Sequence, residues 1–433
     1  MADATLQGAD RGSLAEILKQ NYSDSLVDQM VRKNWIATQL MKTARLVHLN
    51  EGREYVVPLW ETGSPAGIHR GEWDASPTAY SQTVNLAKFN MATYQRTIQI
   101  SGELMHGSAG NEAAILRALD FEVRGAIKDS RDDFATALWM PKSGSYGDVK
   151  TNNNSTTVVL ADADHTKWLR VGDRVSVLKT ADGLVGNGIV NATVSSITNE
   201  STFELGTATA GDTTSGYAVF KSSGTVASGA ADTRHQQFDD NPYGLTDIIS
   251  TIDPKDAGGT DDPYGQIDRD TNAFWKAQET DAGGGNEKPV SHEFMADMRE
   301  RIETGSSGSP KWGVTTYKIW KDIVLLHSPM KVYDGTAIRA NAWFEYVLLE
   351  SVPVYRDRQC PPNQIYVVDD DSGFWEIAEN RAIAWVDDQG DMLTKVSGKW
   401  GFDALLARMY QIVCSAPNAQ GRIINIAEAA FSG

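Results

Sequence analysis

Cysteine is scarce in this sequence, and the scarcity limits the kinds of site that the chain can build. Among 433 residues only Cys360 and Cys414 occur, far apart and outside any Cys-x-x-Cys pair. A disulfide framework is therefore not indicated, and a reducing compartment fits better. The seven histidines never recur at i+3 or i+4 and none lies near a cysteine, so no zinc or other metal site is predicted.

Basic charge is also in short supply, because 40 lysines and arginines face 57 aspartates and glutamates and leave a formal net charge of −17. At long range this balance repels phosphate backbones and anionic lipid, so nucleic acid is not predicted as a ligand for most of the surface. Residues 1–20 lack the basic start and apolar block of an export signal, and no apolar run approaches the length of a membrane helix. We expect synthesis in the cytosol and no membrane partner.

The common motifs for catalysis and phosphate binding are missing too. The sequence contains no GxxxxGK[ST], no GxSxG and no GxGxxG that follows a strand. Asp369, Asp370 and Asp371 could bind calcium, but no distal glutamate stands at the required spacing, which favours a solvated turn. Two prolines follow Cys360, and this favours a structural thiol. The sequence therefore predicts no enzyme, no catalytic residue and no cofactor.

What is present begins with two segments that have no core of their own. Residues 13–45 carry apolar side chains at helical spacing behind a capping box of Ser13 and Glu16. Residues 52–100 contain two β runs around a turn-rich stretch, which predicts a long hairpin with an irregular tip. A two-stranded hairpin is marginal alone in water, so we expect another subunit to hold its outer part.

Further along, the chain alternates long and short elements. The apolar stripe of residues 111–141 predicts one helix of about 30 residues, roughly 45 Å long. Dense Gly, Ser, Thr and Asn then separate five short β runs, which predicts an inserted β module at 150–228 with mostly internal contacts. A helix is expected at 291–305, and strands dominate the rest of the chain.

Tryptophan is plentiful, with twelve residues. Aromatic rings can stack sugars or bases, but they are also enriched in cores and subunit interfaces. Because the chain is acidic and the aromatic residues are not interleaved with basic ones, we favour cores and interfaces. Trp35, Trp60 and Trp73 lie on the arm and the hairpin.

The order of these parts resembles the major capsid protein of tailed bacteriophages, which has the Hong Kong 97-type fold. The resemblance covers most of the chain outside the inserted module and rests on these segments: EYVVPLWETGSPAGIHRGEW, LRALDFEVRGAIKDSRDDFATALW, NPYGLTDIIS, YGQIDRDTNAFW and VPVYRDRQCPPNQIYVVD. It implies an α+β fold with the following parts: N-terminal arm 1–49, extended loop hairpin 50–100, spine helix and start of the peripheral domain 101–149, inserted β-barrel-like domain 150–228, axial domain 229–378, and return to the peripheral domain 379–433.

The resemblance also implies a function. Hexamers and pentamers would close into an icosahedral shell, the virion capsid, around double-stranded DNA that is enclosed without sequence-specific binding. A portal and a decoration protein would be further partners. Residues expected at subunit contacts are Trp35, Trp60, Arg70, Glu72, Trp73, Arg356 and Arg358.

Two departures from the family refine these expectations. The arm begins within about a dozen residues of Met1, where some members carry a scaffolding segment, so we expect a separate scaffolding protein. Some members crosslink through a lysine near the loop tip, but Lys88 is the only lysine between residues 50 and 95. We therefore expect a shell without crosslinks.

Two alternatives remain open. A cellular nanocompartment of the encapsulin type shares the fold and would enclose enzyme cargo; the long arm and the inserted module favour a phage protein. A carbohydrate-active or carbohydrate-binding β protein would fit the Gly-rich strands and the tryptophans. The absence of an export signal and of paired carboxylates in a recognisable cleft context weighs against it.

Overall fold

A computed structural model gives the fold of most of the chain. It describes residues 36–37, 39–40, 45–47, 54–64, 66–67, 69–70, 76, 78–103, 112–152, 154–161, 164–180, 184, 186–214, 216–222, 240–254, 261–284, 286–306, 308–327, 346–371, 375–385, 394–395 and 398–428. Most of the predicted arm, 1–49, lies outside the described residues, although residues 36–37 and 39–40 are helical.

Helices make up a minor part of the described chain. Besides the helical residues of the arm, the helices are α1 Glu112–Ala137, α2 Leu245–Ile248, α3 His292–Gly305 and α4 Tyr317–His327. The 26 residues of α1 span roughly 39 Å, and Ala126, Ser130 and Phe134 form its buried stripe. None of the helices in the described part of the chain has both the length and the hydrophobicity needed to cross a bilayer.

Strands dominate, and the described residues form nineteen of them. They are β1 Arg45–Val47, β2 Glu54–Thr62, β3 Thr83–Asn90, β4 Ala92–Ser101, β5 Ser145–Thr151, β6 Thr157–Leu160, β7 Arg174–Lys179, β8 Ile189–Ile197, β9 Thr202–Leu205, β10 Tyr217–Lys221, β11 Gln278–Asp281, β12 Trp312–Thr315, β13 Tyr346–Leu349, β14 Val352–Arg356, β15 Ile365–Val368, β16 Trp375–Trp385, β17 Thr394–Lys395, β18 Gly401–Cys414 and β19 Gly421–Ile424. Few helices and many strands confirm the α+β class.

Two open sheets carry the main core. In the five-stranded sheet, β1 runs parallel to β16, and the long strand β18 pairs antiparallel with β16, β17 and β4. The six-stranded sheet has the order β11-β19-β15-β12-β14-β13. One of its faces is covered by α3 through Met295, Met298 and Ile302, and the other meets the end of α1, where the rings of Trp139 and Tyr366 lie 5.0 Å apart.

The small barrel that the sequence predicts is present. Strands β5 to β10 close in the order β10-β5-β6-β9-β8-β7, so the predicted start at residue 150 falls inside β5. Its interior is filled by side chains that are fully buried, namely Val158, Val177, Val194, Phe203 and Val219. The barrel is therefore a packed core rather than a pore.

The hairpin is a separate two-stranded ribbon. Strands β2 and β3 pair antiparallel from Glu54 with Asn90 to Thr62 with Thr83. After β3, Met91 alone separates the ribbon from β4. The hairpin is thus a continuation of a strand of the five-stranded sheet.

Candidate functional site

The hairpin has two apolar faces, because directly paired residues of an antiparallel ribbon share a face. The inner face carries the pairs Tyr55 with Phe89, Val57 with Ala87, and Leu59 with Asn85. The outer face carries the pairs Val56 with Lys88, Pro58 with Leu86, and Trp60 with Val84. One face can be buried in the subunit, and the other must find a different environment.

The inner face is anchored on an aromatic stack. Phe89 is 1% exposed, and its ring lies 5.0 Å from the ring of Tyr264. Trp275 stacks on Tyr264 at 5.5 Å, and its indole N–H donates a hydrogen bond of 2.6 Å to the Tyr264 carbonyl. Gly265 has a φ of 67°, and a Cβ there would lie 2.9 Å from the Phe89 ring. Glycine at this position lets the hairpin approach closely.

The outer face is exposed. Trp60 is 68% exposed, Val84 60%, Leu86 49% and Val56 42%. Large apolar side chains scattered singly on a surface need no explanation, but a contiguous stripe of four marks a protein contact. The outer face of the hairpin is therefore the best candidate for an interaction surface.

The structure separates the predicted contact residues into groups. Trp60 lies on the outer face of the hairpin, and Arg70 is exposed in the segment that joins β2 to β3. Trp35, Glu72 and Trp73 lie outside the described residues. The sequence analysis missed Val84 and Leu86. The signal lay in the strand that pairs with theirs, because the apolar run EYVVPLW has no polar alternation and so indicates two apolar faces.

Of the other two predicted residues, Arg356 ends β14 and Arg358 lies in the loop after it. The guanidinium of Arg356 lies over the ring of Trp320 at 4.5 Å and over Tyr317 at 5.3 Å, so it packs on α4 of its own chain. Arg358 is exposed. Between them, buried Asp357 accepts a hydrogen bond of 3.2 Å from the backbone N–H of Ile36, which fastens the end of the arm.

Three carboxylates on one side of α1, Asp129, Asp132 and Asp133, form a charged cluster that the sequence analysis did not find. We call them the carboxylate cluster. From β4, Arg96 contacts Asp129 at 2.6 Å and Asp133 at 3.6 Å. The hydroxyl of Tyr94 donates to Asp133 at 2.9 Å. Burial, together with Asp133, raises the pKa of Tyr94 to about 12, so the hydroxyl keeps its proton.

The barrel supplies the remaining cations of the carboxylate cluster. Arg170 contacts Asp129 at 3.3 Å and Asp132 at 3.0 Å. Lys221 contacts Asp133 at 2.6 Å. The i, i+3, i+4 spacing of the three aspartates was visible in the sequence. Their positive partners come from segments far away along the chain.

The barrel is also fastened to the loop after β14. Lys167 donates a hydrogen bond of 2.5 Å to the carbonyl of Cys360, and the indole of Trp168 donates one of 3.2 Å to the carbonyl of Gln359. A surface ion pair of 2.7 Å joins Glu200 of the barrel to Lys318 of α4. The prediction of mostly internal contacts therefore underestimated how firmly the barrel is attached.

The aspartate run 369–371 is only partly a solvated turn. Asp371 is exposed and pairs with Lys311 at 2.8 Å. Asp369, in contrast, is fully buried, and its carboxylate accepts a hydrogen bond of 2.7 Å from the backbone N–H of Ser309. The prediction was wrong for Asp369 because backbone donors replace water around it. Within the described residues, no group of three or more His, Cys, Asp or Glu side chains is placed to hold a metal ion.

A buried pair of charged residues, Arg269 and Asp247, lies at α2. Arg269 is 0% exposed, and its guanidinium donates to the carbonyls of Asp247, Ile248 and Ile252 at 2.7 to 3.0 Å. The carboxylate of Asp247 accepts a hydrogen bond of 2.6 Å from the backbone N–H of Lys142. Burial nevertheless raises the pKa of Asp247 to about 6.

We predict a pH dependence of stability from Asp247. The folded protein binds the proton of the Asp247 carboxyl more tightly than the unfolded chain, in which the pKa of this carboxyl is near 3.8. The protonated carboxyl therefore contributes to the free energy of unfolding below about pH 4, and this contribution is lost as the pH rises through about 6. The expected loss is about 1–3 kcal/mol. We compare the free energies of unfolding of Asp247→Asn and wild type by urea denaturation of unassembled subunits. Between pH 4.5 and pH 7.5, the difference should shift by this amount in favour of the variant. A difference that stays constant with pH would contradict the assignment.

Comparisons with known proteins address the fold. No family model matches the sequence, and no curated protein matches it. A chain of the capsid asymmetric unit of cyanophage A-1(L) superposes with a TM-score of 0.57, at 13% identity, over 96% of this chain and 99% of that chain. The likeness therefore extends over nearly the whole of both chains.

Other solved structures are similar at lower scores. A chain of the capsid of a native GTA particle has a TM-score of 0.47 at 11% identity, over 98% of this chain and 100% of that chain. A chain of an encapsulin complex from Synechococcus elongatus has a TM-score of 0.44 at 8% identity, over 99% of this chain and 100% of that chain. Scores below 0.5 do not establish a fold by themselves. On the cyanophage superposition, which spans nearly the whole of both chains, this protein has the fold of a phage capsid protein.

Proposed function

We propose that this protein is the major capsid protein of a tailed phage with the Hong Kong 97-type fold. Its subunits would self-assemble into hexamers and pentamers and close an icosahedral shell around double-stranded DNA. The fold likeness supports a shell protein. The observation that carries the proposal is the outer face of the hairpin, because an apolar stripe that its own subunit leaves exposed needs a second molecule.

In this proposal each part of the fold has a place in the shell. The hairpin is the extended loop at 50–100, α1 is the spine helix, the five-stranded sheet belongs to the peripheral domain, and the six-stranded sheet belongs to the axial domain at 229–378. The barrel is the inserted domain at 150–228, and residues 379–433 return to the peripheral domain except for β19, which lies in the six-stranded sheet. A protein built this way works by surface complementarity, so we assign it no catalytic residue and no cofactor.

We propose that the contacts between subunits use the outer face around Trp60 together with Arg70, which is exposed in the segment that joins β2 to β3. Trp35, Glu72 and Trp73 are proposed for the same contacts on sequence grounds. Arg358 is exposed and can pair across an interface. Arg356 would contribute by holding the loop that carries Arg358, because its guanidinium packs on α4.

The net charge of −17 fits a shell around DNA. An acidic wall repels the phosphate backbone, so the genome would be enclosed without adhering to the protein and without sequence-specific binding. Partners in the virion would be other copies of this chain, a separate scaffolding protein, a portal and, where one exists, a decoration protein. The protein would be made in the host cytoplasm and reside in the virion capsid.

Purification of the full-length chain tests the proposal. We expect closed particles tens of nanometres across, seen by negative-stain electron microscopy and by rapid sedimentation in analytical ultracentrifugation. If scaffolding is needed, the particles should appear on coexpression with the neighbouring genes. Nuclease-resistant double-stranded DNA inside particles from the infected host would distinguish a phage capsid from an encapsulin, which would hold protein cargo. A compact monomer under all these conditions would refute the proposal.

A further inference from the structure

Two members of the carboxylate cluster each contact a cation from β4 and a cation from the barrel. Asp129 lies between Arg96 of β4, at 2.6 Å, and Arg170 of the barrel, at 3.3 Å. Asp133 lies between Arg96, at 3.6 Å, and Lys221 of the barrel, at 2.6 Å. Each carboxylate thus responds to the position of both neighbours at once.

The strand on one side of this cluster is the one that continues into the hairpin. On β4, Tyr94 and Arg96 occupy alternate positions and so turn toward α1 on the same face. Met91 alone separates β4 from β3, and β3 carries Val84 and Leu86 of the outer face. β4 is also paired with β18 along its whole length, so the cluster can act only on the twist of β4 near the hairpin, where Tyr94 and Arg96 lie. A change in that twist would turn the outer face of the hairpin.

We propose that the barrel sets the orientation of the hairpin through the carboxylate cluster. When Arg170 and Lys221 are docked, Asp129 and Asp133 are held at fixed positions on α1 and in turn hold Arg96 and Tyr94. When the barrel cations are withdrawn, three carboxylates within one turn of helix repel one another, and Arg96 becomes their remaining cation within the cluster. β4 then loses its anchor on α1, and its ladder with β18 is left to hold it. This coupling acts within one subunit. Only its use in assembly, through the hairpin, rests on the proposed function.

Partial solvent exposure makes the device adjustable. The side chains of Arg96, Arg170, Lys221, Asp129 and Asp133 are 23 to 37% exposed, whereas Asp132 is 8% exposed. Ion pairs at such depth are weakened by salt. Salt should consequently weaken the ionic contacts of the barrel with α1, while Lys167 and Trp168 keep the barrel on the loop after β14.

Hydrogen exchange on unassembled full-length subunits tests the coupling. The double variant Arg170→Met, Lys221→Met should exchange about fivefold faster than wild type in peptides of β3 and β4, residues 83–101. Raising the ionic strength from about 0.05 to about 0.5 M should produce the same change in wild type and little further change in the variant. Because the measurement needs no particles, it remains informative even if the protein forms no shell.

The matched control removes a barrel contact that does not involve the cluster. Glu200→Gln breaks the pair with Lys318 of α4 from its exposed side, and Lys318 keeps its second pair with Glu428 at 3.5 Å. Exchange in residues 83–101 should stay at the wild-type rate. Two results would overturn the proposal. One is faster exchange in the double variant confined to the barrel itself, residues 145–221. The other is an equal acceleration in 83–101 by Glu200→Gln, which would indicate general destabilisation.

Discussion

Replacing Trp60 with glutamate should abolish particle formation while the subunit stays folded. Trp60 is the most exposed side chain of the outer face and is paired with exposed Val84. A carboxylate there would have to be desolvated against an apolar partner surface, which costs several kcal/mol for each copy in the shell. Sedimentation should show unassembled subunits only, and circular dichroism should match wild type because the side chain is 68% exposed.

Two further variants separate surface chemistry from general effects. Trp60→Tyr keeps a large ring that suits an interface, and particles should form. Gln95→Glu adds the same charge at an exposed position of β4 outside the outer face, and particles should form there too. Normal particles from Trp60→Glu would exclude the outer face as a subunit contact.

Replacing Trp275 with alanine should be the most damaging single change to the subunit core. The side chain is 1% exposed, stacks on Tyr264 and donates to the Tyr264 carbonyl. Truncation leaves a cavity the size of an indole beneath the anchor of the hairpin. It also removes the shorter of two hydrogen bonds to the Tyr264 carbonyl, which keeps only the one of 3.4 Å from the backbone N–H of Ile267. We expect a loss of about 3–5 kcal/mol in the free energy of unfolding, measured by urea denaturation of unassembled subunits.

Phe274 provides the control for this prediction because it adjoins Trp275 and is only half-buried. Phe274→Ala removes a ring of similar area without a hydrogen bond or a position in the stack. Its cost should be less than half that of Trp275→Ala. Equal costs for the two variants would show that the stack under the hairpin is not a special anchor.

Elements determined by local pattern could be predicted from the sequence. The helix expected at 291–305 corresponds to α3, because Met295, Met298 and Ile302 recur at helical spacing and are buried together. The helix expected at 111–141 corresponds to α1 but ends at Ala137. Pro141 disfavours helical geometry in the residue before it, so the last turn unwinds before the proline is reached.

Features determined by distant segments could not be predicted. The buried side chain of Arg269 is stabilised by three carbonyls that only the folded chain brings together. Asp369 could be recognised as buried only by knowing that the backbone of Ser309 would reach it. The carboxylate cluster has the same origin, since its cations come from β4 and from the barrel. Sequence pattern reports which face of an element is apolar, whereas tertiary pairing decides which charges meet.

Closure of the barrel has a consequence for the proposed shell, in which copies of the chain would be packed at very high local concentration. Each of the six strands from β5 to β10 has a neighbour on both sides, so their ladder has no free edge. An open sheet of the same strands would offer unpaired N–H and C=O groups to the identical sheet of every adjacent copy, and strand pairing between copies would compete with the intended contacts. A closed barrel can be packed among identical copies because it offers no unpaired strand edge with which a neighbouring strand could pair.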